Sequence, residues 1–85
     1  MSKEDLVEYE GIVTDVLAGS NFRVAIMDDN GNVSRKEDGT PVHTALCYLG
    51  GKIRQNSIKI ILNDQVRIAV SPYDPSRGKI IYRTK

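Results

Sequence analysis

The chain has no tryptophan, one phenylalanine, one histidine and one cysteine in 85 residues. Each scarcity excludes something. One cysteine cannot close an internal disulfide, so nothing favours a disulfide-stapled secreted scaffold. The lone histidine, His43, has no neighbouring ligand candidates in the sequence for a metal site. The sequence also contains no HExxH, paired CxxC, GxSxG or P-loop pattern. No apolar run reaches membrane-spanning length, and the opening MSKEDLVEYEG is too acidic for a signal or transit peptide. The expectation is a cytoplasmic monomer that is not an enzyme, carries no cofactor or metal and meets no membrane. A hydrophobic fraction of 40% without low-complexity tracts favours a folded chain over a disordered one. At this length it is expected to be a single small domain over residues 1–85, with 1–5 as a flexible tail.

The net charge of +1 conceals an asymmetry. Residues 1–51 carry Lys3, Arg23, Arg35 and Lys36 against nine acids, a balance of −5. Residues 52–85 carry eight bases against Asp64 and Asp74, a balance of +6. Separation of this kind points to a polyanionic partner for one side of the molecule, although a merely solvated surface also produces it.

Hydropathy alternates with period two, which argues strands. In LVEYEGIVTDVL, Val7, Tyr9, Gly11 and Val13 interleave with Glu8, Glu10 and Ile12. AGSN is a turn with Gly19 and Asn21 able to take positive φ. FRVAIM puts Phe22, Val24 and Ile26 on one face and Arg23, Ala25 and Met27 on the other. Residues 28–42 are polar, with Asn30-Gly31 and Asp38-Gly39 as turn dipeptides, and read either as a loop or as a hairpin extended beyond the body. VHTALCYLGG supplies a third strand, with Ala45, Cys47 and Leu49 in phase. KIRQNSIK lacks alternation and could hold one helical turn. Val66, Ile68 and Val70 alternate with Arg67 and Ala69 in a fourth strand. SPYDPSRG reads as a Pro-rich turn before a last strand KIIYRT. Five short strands in an all-β chain are best closed into a small barrel. An OB-fold fits; an SH3-like barrel is the competitor.

The pattern that rises above background is cations interleaved with aromatics. Lys52 and Arg54 follow Gly50-Gly51, where the backbone can approach a phosphate closely. Arg23 and Arg67 project outward from their strands, and Tyr48 is out of phase with Cys47 and Leu49. On the last strand Lys79, Ile81 and Arg83 share one face, with Ile80 and Tyr82 on the other. A single barrel face of Arg23, Tyr48, Arg67, Lys79 and Arg83 would offer cations to phosphates and a ring for base stacking. That chemistry suits single-stranded or irregular RNA better than duplex DNA. Cys47 and Phe22 read as core, and His43 as a surface or edge residue.

The segments SKEDLVEYEGIV, FRV, GGKIRQNSIKI, Asp64-x-Val66 and SPYDPSRGKIIYR occur in the order found in bacterial translation initiation factor one and its plastid form, which this chain resembles over both ends and most of the middle. The resemblance implies an OB-fold that binds the small ribosomal subunit at the A-site region. It would contact ribosomal RNA and a neighbouring ribosomal protein, and assist initiator tRNA placement with the other two initiation factors, without catalysis. A plastid-type member would work in the stroma. The resemblance implies that the family's basic motif is matched by Lys52, Arg54 and Asn56, with Lys59 in place of an arginine, its C-terminal cations by Arg77, Lys79, Arg83 and Lys85, and the lysine of its N-terminal tail by Lys3. Departures are Gln55 in place of a base, Tyr48 in place of a histidine, Asn63 for a turn glycine, Pro75 in the terminal turn, and the long 28–42 segment with Arg35 and Lys36 among acids. Two other functions fit a small barrel. One is a cold-shock-like chaperone for single-stranded RNA; the other is a protein-binding module working through the acidic half.

Overall fold

The protein's structure, a computed structural model, describes residues 6–51 and 59–84. Five strands close into a barrel: β1 (Val7–Leu17), β2 (Asn21–Ile26), β3 (Thr44–Leu49), β4 (Gln65–Ser71) and β5 (Asp74–Arg83). Their order around the barrel is β1-β2-β3-β5-β4, with β4 returning to β1. Every pairing is antiparallel except β3 with β5, which is parallel. This is the OB-fold topology, and closure gives each of these strands a partner on both sides.

Alternation builds the core. Val13, Phe22, Val24, Ala45, Cys47, Val66, Ile68, Val70 and Ile80 point inward, and Ile60 from the β3–β4 connection packs against them. β-branched residues dominate, as a pleated and half-buried surface favours. Three outward-phase residues, Ala25, Ala69 and Met27, are nevertheless buried. Ala25 is fully covered and Ala69 almost so, because short side chains sink beneath longer neighbours on the adjoining strands.

Turn chemistry departs from the sequence reading in two places. In AGSN the left-handed residues are Gly19 and Ser20 (φ 73° and 61°), while Asn21 already belongs to β2. In SPYDPSRG the reversal is confined to Pro72 and Tyr73. Ser71 pairs with Asp74, so β5 starts well before the expected KIIYRT. Pro75 sits inside that strand where the register with β4 shifts, the kind of position that tolerates a missing N–H. Asn63 does take left-handed φ, at 71°, in place of glycine.

A bulge matters most for function. Arg67 pairs with Tyr82 while Ile68 pairs with Ile80, so Ile81 is an extra residue on β5. Strict alternation had put Lys79, Ile81 and Arg83 on one face. The bulge resets the phase: Tyr82 joins Arg67 outside, and Arg83 lies opposite Val66 at the barrel's end.

Residues 28–42 fold back on themselves. Asp28 Oδ1 accepts the N–H groups of Asn30 and Asn32 (2.9 Å each), and isolated bridges join Met27 to Val33 and Arg35 to Pro41. Asp38 Oδ1 accepts Thr40 N–H (3.0 Å) and Oγ1–H (2.7 Å), which holds its carboxyl below the usual range. The helical turn expected within KIRQNSIK falls largely outside the described residues.

Candidate nucleic-acid interface

The outer surface of β2, β3 and β5 is assembled by register. Arg23 pairs with Leu46 and Asn21 with Tyr48; on the other flank Leu46 meets Arg77 and Tyr48 meets Lys79. The parallel β3–β5 pairing therefore sets a ring beside an ammonium and a guanidinium on one continuous face. Tyr48 is 54% exposed. A shallow cleft of about 280 Å³ opens there, walled by Tyr48, Arg77, Lys79, Ala69, Asp74 and Leu6. Cations to hold phosphate and an open ring to stack a base are the two components that single-stranded recognition needs.

Arg23 is not idle on that face. Its Nη1 donates to Asp15 Oδ2 at 3.2 Å. Asp15 reaches it because Thr14 is bulged out of the β1–β2 ladder, with Thr14 Oγ1 donating to the Arg23 carbonyl at 3.2 Å. Both charged side chains are half exposed, so phosphate can compete for the guanidinium.

Two other cations leave the expected single face. Arg67, on β4, donates through Nε to Glu10 Oε2 at 2.8 Å and through Nη1 to Glu8 Oε1 at 3.3 Å. Its guanidinium also lies 5.6 Å from the Tyr82 ring centroid. The hydrogen bond to Glu10, then the neighbouring Tyr82, hold it still more firmly protonated. Arg83 sits at the far end of the barrel, its Nε 3.6 Å from Asp64 Oδ2 and its Nη1 donating to the Lys59 carbonyl at 3.3 Å. Exposed Lys59 is beside it. The cations thus divide: Arg23, Arg77 and Lys79 with Tyr48 on the outer face, Lys59 and Arg83 at one end, Arg67 on an acidic flank. Lys3, Lys52, Arg54, Asn56 and Lys85 lie outside the described residues.

Sequence reading had no place for Asp15, Leu6 or Asp74 in the site. Opposite charges flanking the Gly19-Ser20 turn were the available signal for the Asp15–Arg23 pair. Nothing local announces Leu6, which precedes β1, whereas Asp74 lies on β5 itself, three residues before Arg77.

A barrel closed in this order, with cations and an open ring on its β2–β3–β5 surface, defines a protein of the OB-fold class. No protein-family model matches the chain. Among solved structures, that of translation initiation factor one from the Wolbachia endosymbiont of Brugia malayi is 35% identical. The match covers 94% of this chain and 79% of that one, with a TM-score of 0.63. This chain belongs to the family of translation initiation factor one. YjeQ from Thermotoga maritima, 24% identical over 93% of this chain and 23% of its own, with a TM-score of 0.60, shares the fold.

Proposed function

We propose that this protein binds the small ribosomal subunit at the A-site region through ribosomal RNA and, with the other initiation factors, supports placement of initiator tRNA. Family membership supports the setting. The observation that carries the RNA reading is the β3–β5 register, which gathers Tyr48, Arg77 and Lys79 on one exposed surface. Arg23 adds a cation once phosphate displaces Asp15. The rigid barrel presents these groups already ordered, so little entropy is lost at docking. No catalytic step is assigned. A general single-strand chaperone needs several stacking rings on the binding face. Among the described residues Tyr48 lines that surface and Tyr73 stands exposed in the adjoining β4–β5 turn, while Tyr82 lies over Arg67.

Sedimentation of the protein with purified small subunits, at two salt concentrations and with or without the other factors, tests the reading. Arg77→Ala with Lys79→Ala should weaken co-sedimentation by about tenfold or more, while the thermal melt stays unchanged. Undiminished co-sedimentation, or equal affinity for homopolymeric RNA and for subunits, would defeat it.

A further inference from the structure

Across the barrel mouth from the β3 side to the β1–β4 flank runs a groove that the RNA reading does not use. Three cavities of about 250, 330 and 260 Å³ lie in series. The first and second share Ile26, His43 and Pro75; the second and third share Tyr9, Met27 and Asp28. One wall is the folded 28–42 segment, which contributes Ser34 and Val42, and the other is Pro75 at the start of β5.

The two ends differ in character. The middle is mainly apolar, with Tyr9, Ile26, Met27 and Pro75 around His43. The β1–β4 end carries Glu8, Glu10, Asp28 and Asp29 against the single guanidinium of Arg67. Glu8 remains 51% exposed and Glu10 28% exposed despite their bonds to Arg67, so both still present oxygens to an incoming cation. A phosphate backbone is repelled from such an end.

We propose that this groove is a docking site for an extended, basic segment of a protein partner, with an apolar side chain in the Tyr9–Ile26–Pro75 centre and lysine or arginine at the Glu8–Asp29 end. Charge complementarity selects polypeptide over nucleic acid, and three cavities joined through shared lining residues suit an extended chain that places successive side chains in each. The walls are ordered beforehand by the Asp28 and Asp38 hydrogen bonds and by the fixed φ of Pro75. The acidic end lies on the β1–β4 flank, away from the β2–β3–β5 cations. The other end, at Pro75 and Ser76, adjoins Asp74 and Arg77 of the RNA cleft.

The test begins with the whole protein immobilised and a phage-displayed random library of peptides about twelve residues long, enough to span roughly 40 Å when extended. Enriched peptides should pair at least two lysines or arginines with an adjacent apolar residue. A synthetic copy of the leading peptide should shift the amide resonances of Tyr9, Met27, Ser34 and His43 and leave those of Tyr48 and Lys79 in place. Glu8→Lys with Asp29→Lys should weaken it about tenfold. Ser34→Trp, which fills the groove from an exposed loop position, should do the same, with the thermal melt confirming that both variants fold. Failure to enrich, enrichment of acidic peptides, shifts centred on Tyr48, or folded variants that bind unchanged would each overturn the assignment.

Discussion

Gly78 lies where β5 passes so close to β4 that a β-carbon would stand 2.6 Å from both the Ala69 carbonyl oxygen and Val70 Cγ1. One neighbour is backbone and cannot swing aside. Gly78→Ala should therefore cost about 1–3 kcal/mol in chemical denaturation, and an unchanged midpoint would contradict the contact. Cys47 illustrates burial acting on chemistry. Desolvation pushes its thiol from 9.0 up to about 12. The fold holds the protonated form, so this contribution to stability is complete below pH 9.0 and is lost as pH rises towards about 12. The direct check is labelling with a thiol reagent at about pH 8: Cys47 should react only on the timescale of unfolding. At this scale the sequence was informative wherever alternation was strict. Phe22 and Cys47 are core, and Tyr48 is exposed, as their phase implies. Ala25 and Ala69 were opaque, because whether a small outward residue is covered depends on neighbours brought in by other strands.

At the scale of elements, pairing decides what a charge is for. β1 lies against β4, so Arg67 faces Glu8 and Glu10 and is spent inside the molecule. Arg67→Met should lower stability slightly at low ionic strength, and the difference should shrink near about 1 M salt in matched denaturation curves. A loss that ignores salt would mean that packing on Tyr82, and not charge, is the main term. Arg83 and Lys79 separate for a related reason. The extra residue Ile81 sends Arg83 to Asp64, whose side chain is only 12% exposed and also accepts the Ile61 N–H at 2.9 Å. Arg83→Ala should consequently lower the melting temperature, while Lys79→Ala should not. Parallel thermal melts separate the two. The strands themselves were legible from period two. The bulges at Thr14 and Ile81 were not, because an unpaired residue leaves no mark on composition and appears only when a partner strand fixes the register.

Over the whole molecule, the charge contrast between chain halves becomes a different contrast in space. Basic β5 inserts beside β3 from the acidic half, whereas basic β4 lies against acidic β1. One flank is therefore neutralised or acidic and the other is cationic. The sequence showed the imbalance but not the interleaving that sorts it. With Arg23, Arg77 and Lys79 as the described cations of the outer face, binding to a single-stranded RNA should fall with salt at a logarithmic slope of about −2. Titrations over a salt series measure it directly, and a flat response would remove phosphate contact as the source of affinity.

Closure also constrains how the chain is made. The first strand waits for the fourth, and the third for the fifth, so these seams join segments far apart along the chain. A nascent polypeptide emerging from its N-terminus has no complete core to collapse onto until the last strand has been synthesised. Completing this ring therefore depends on β5, which bridges β3 and β4.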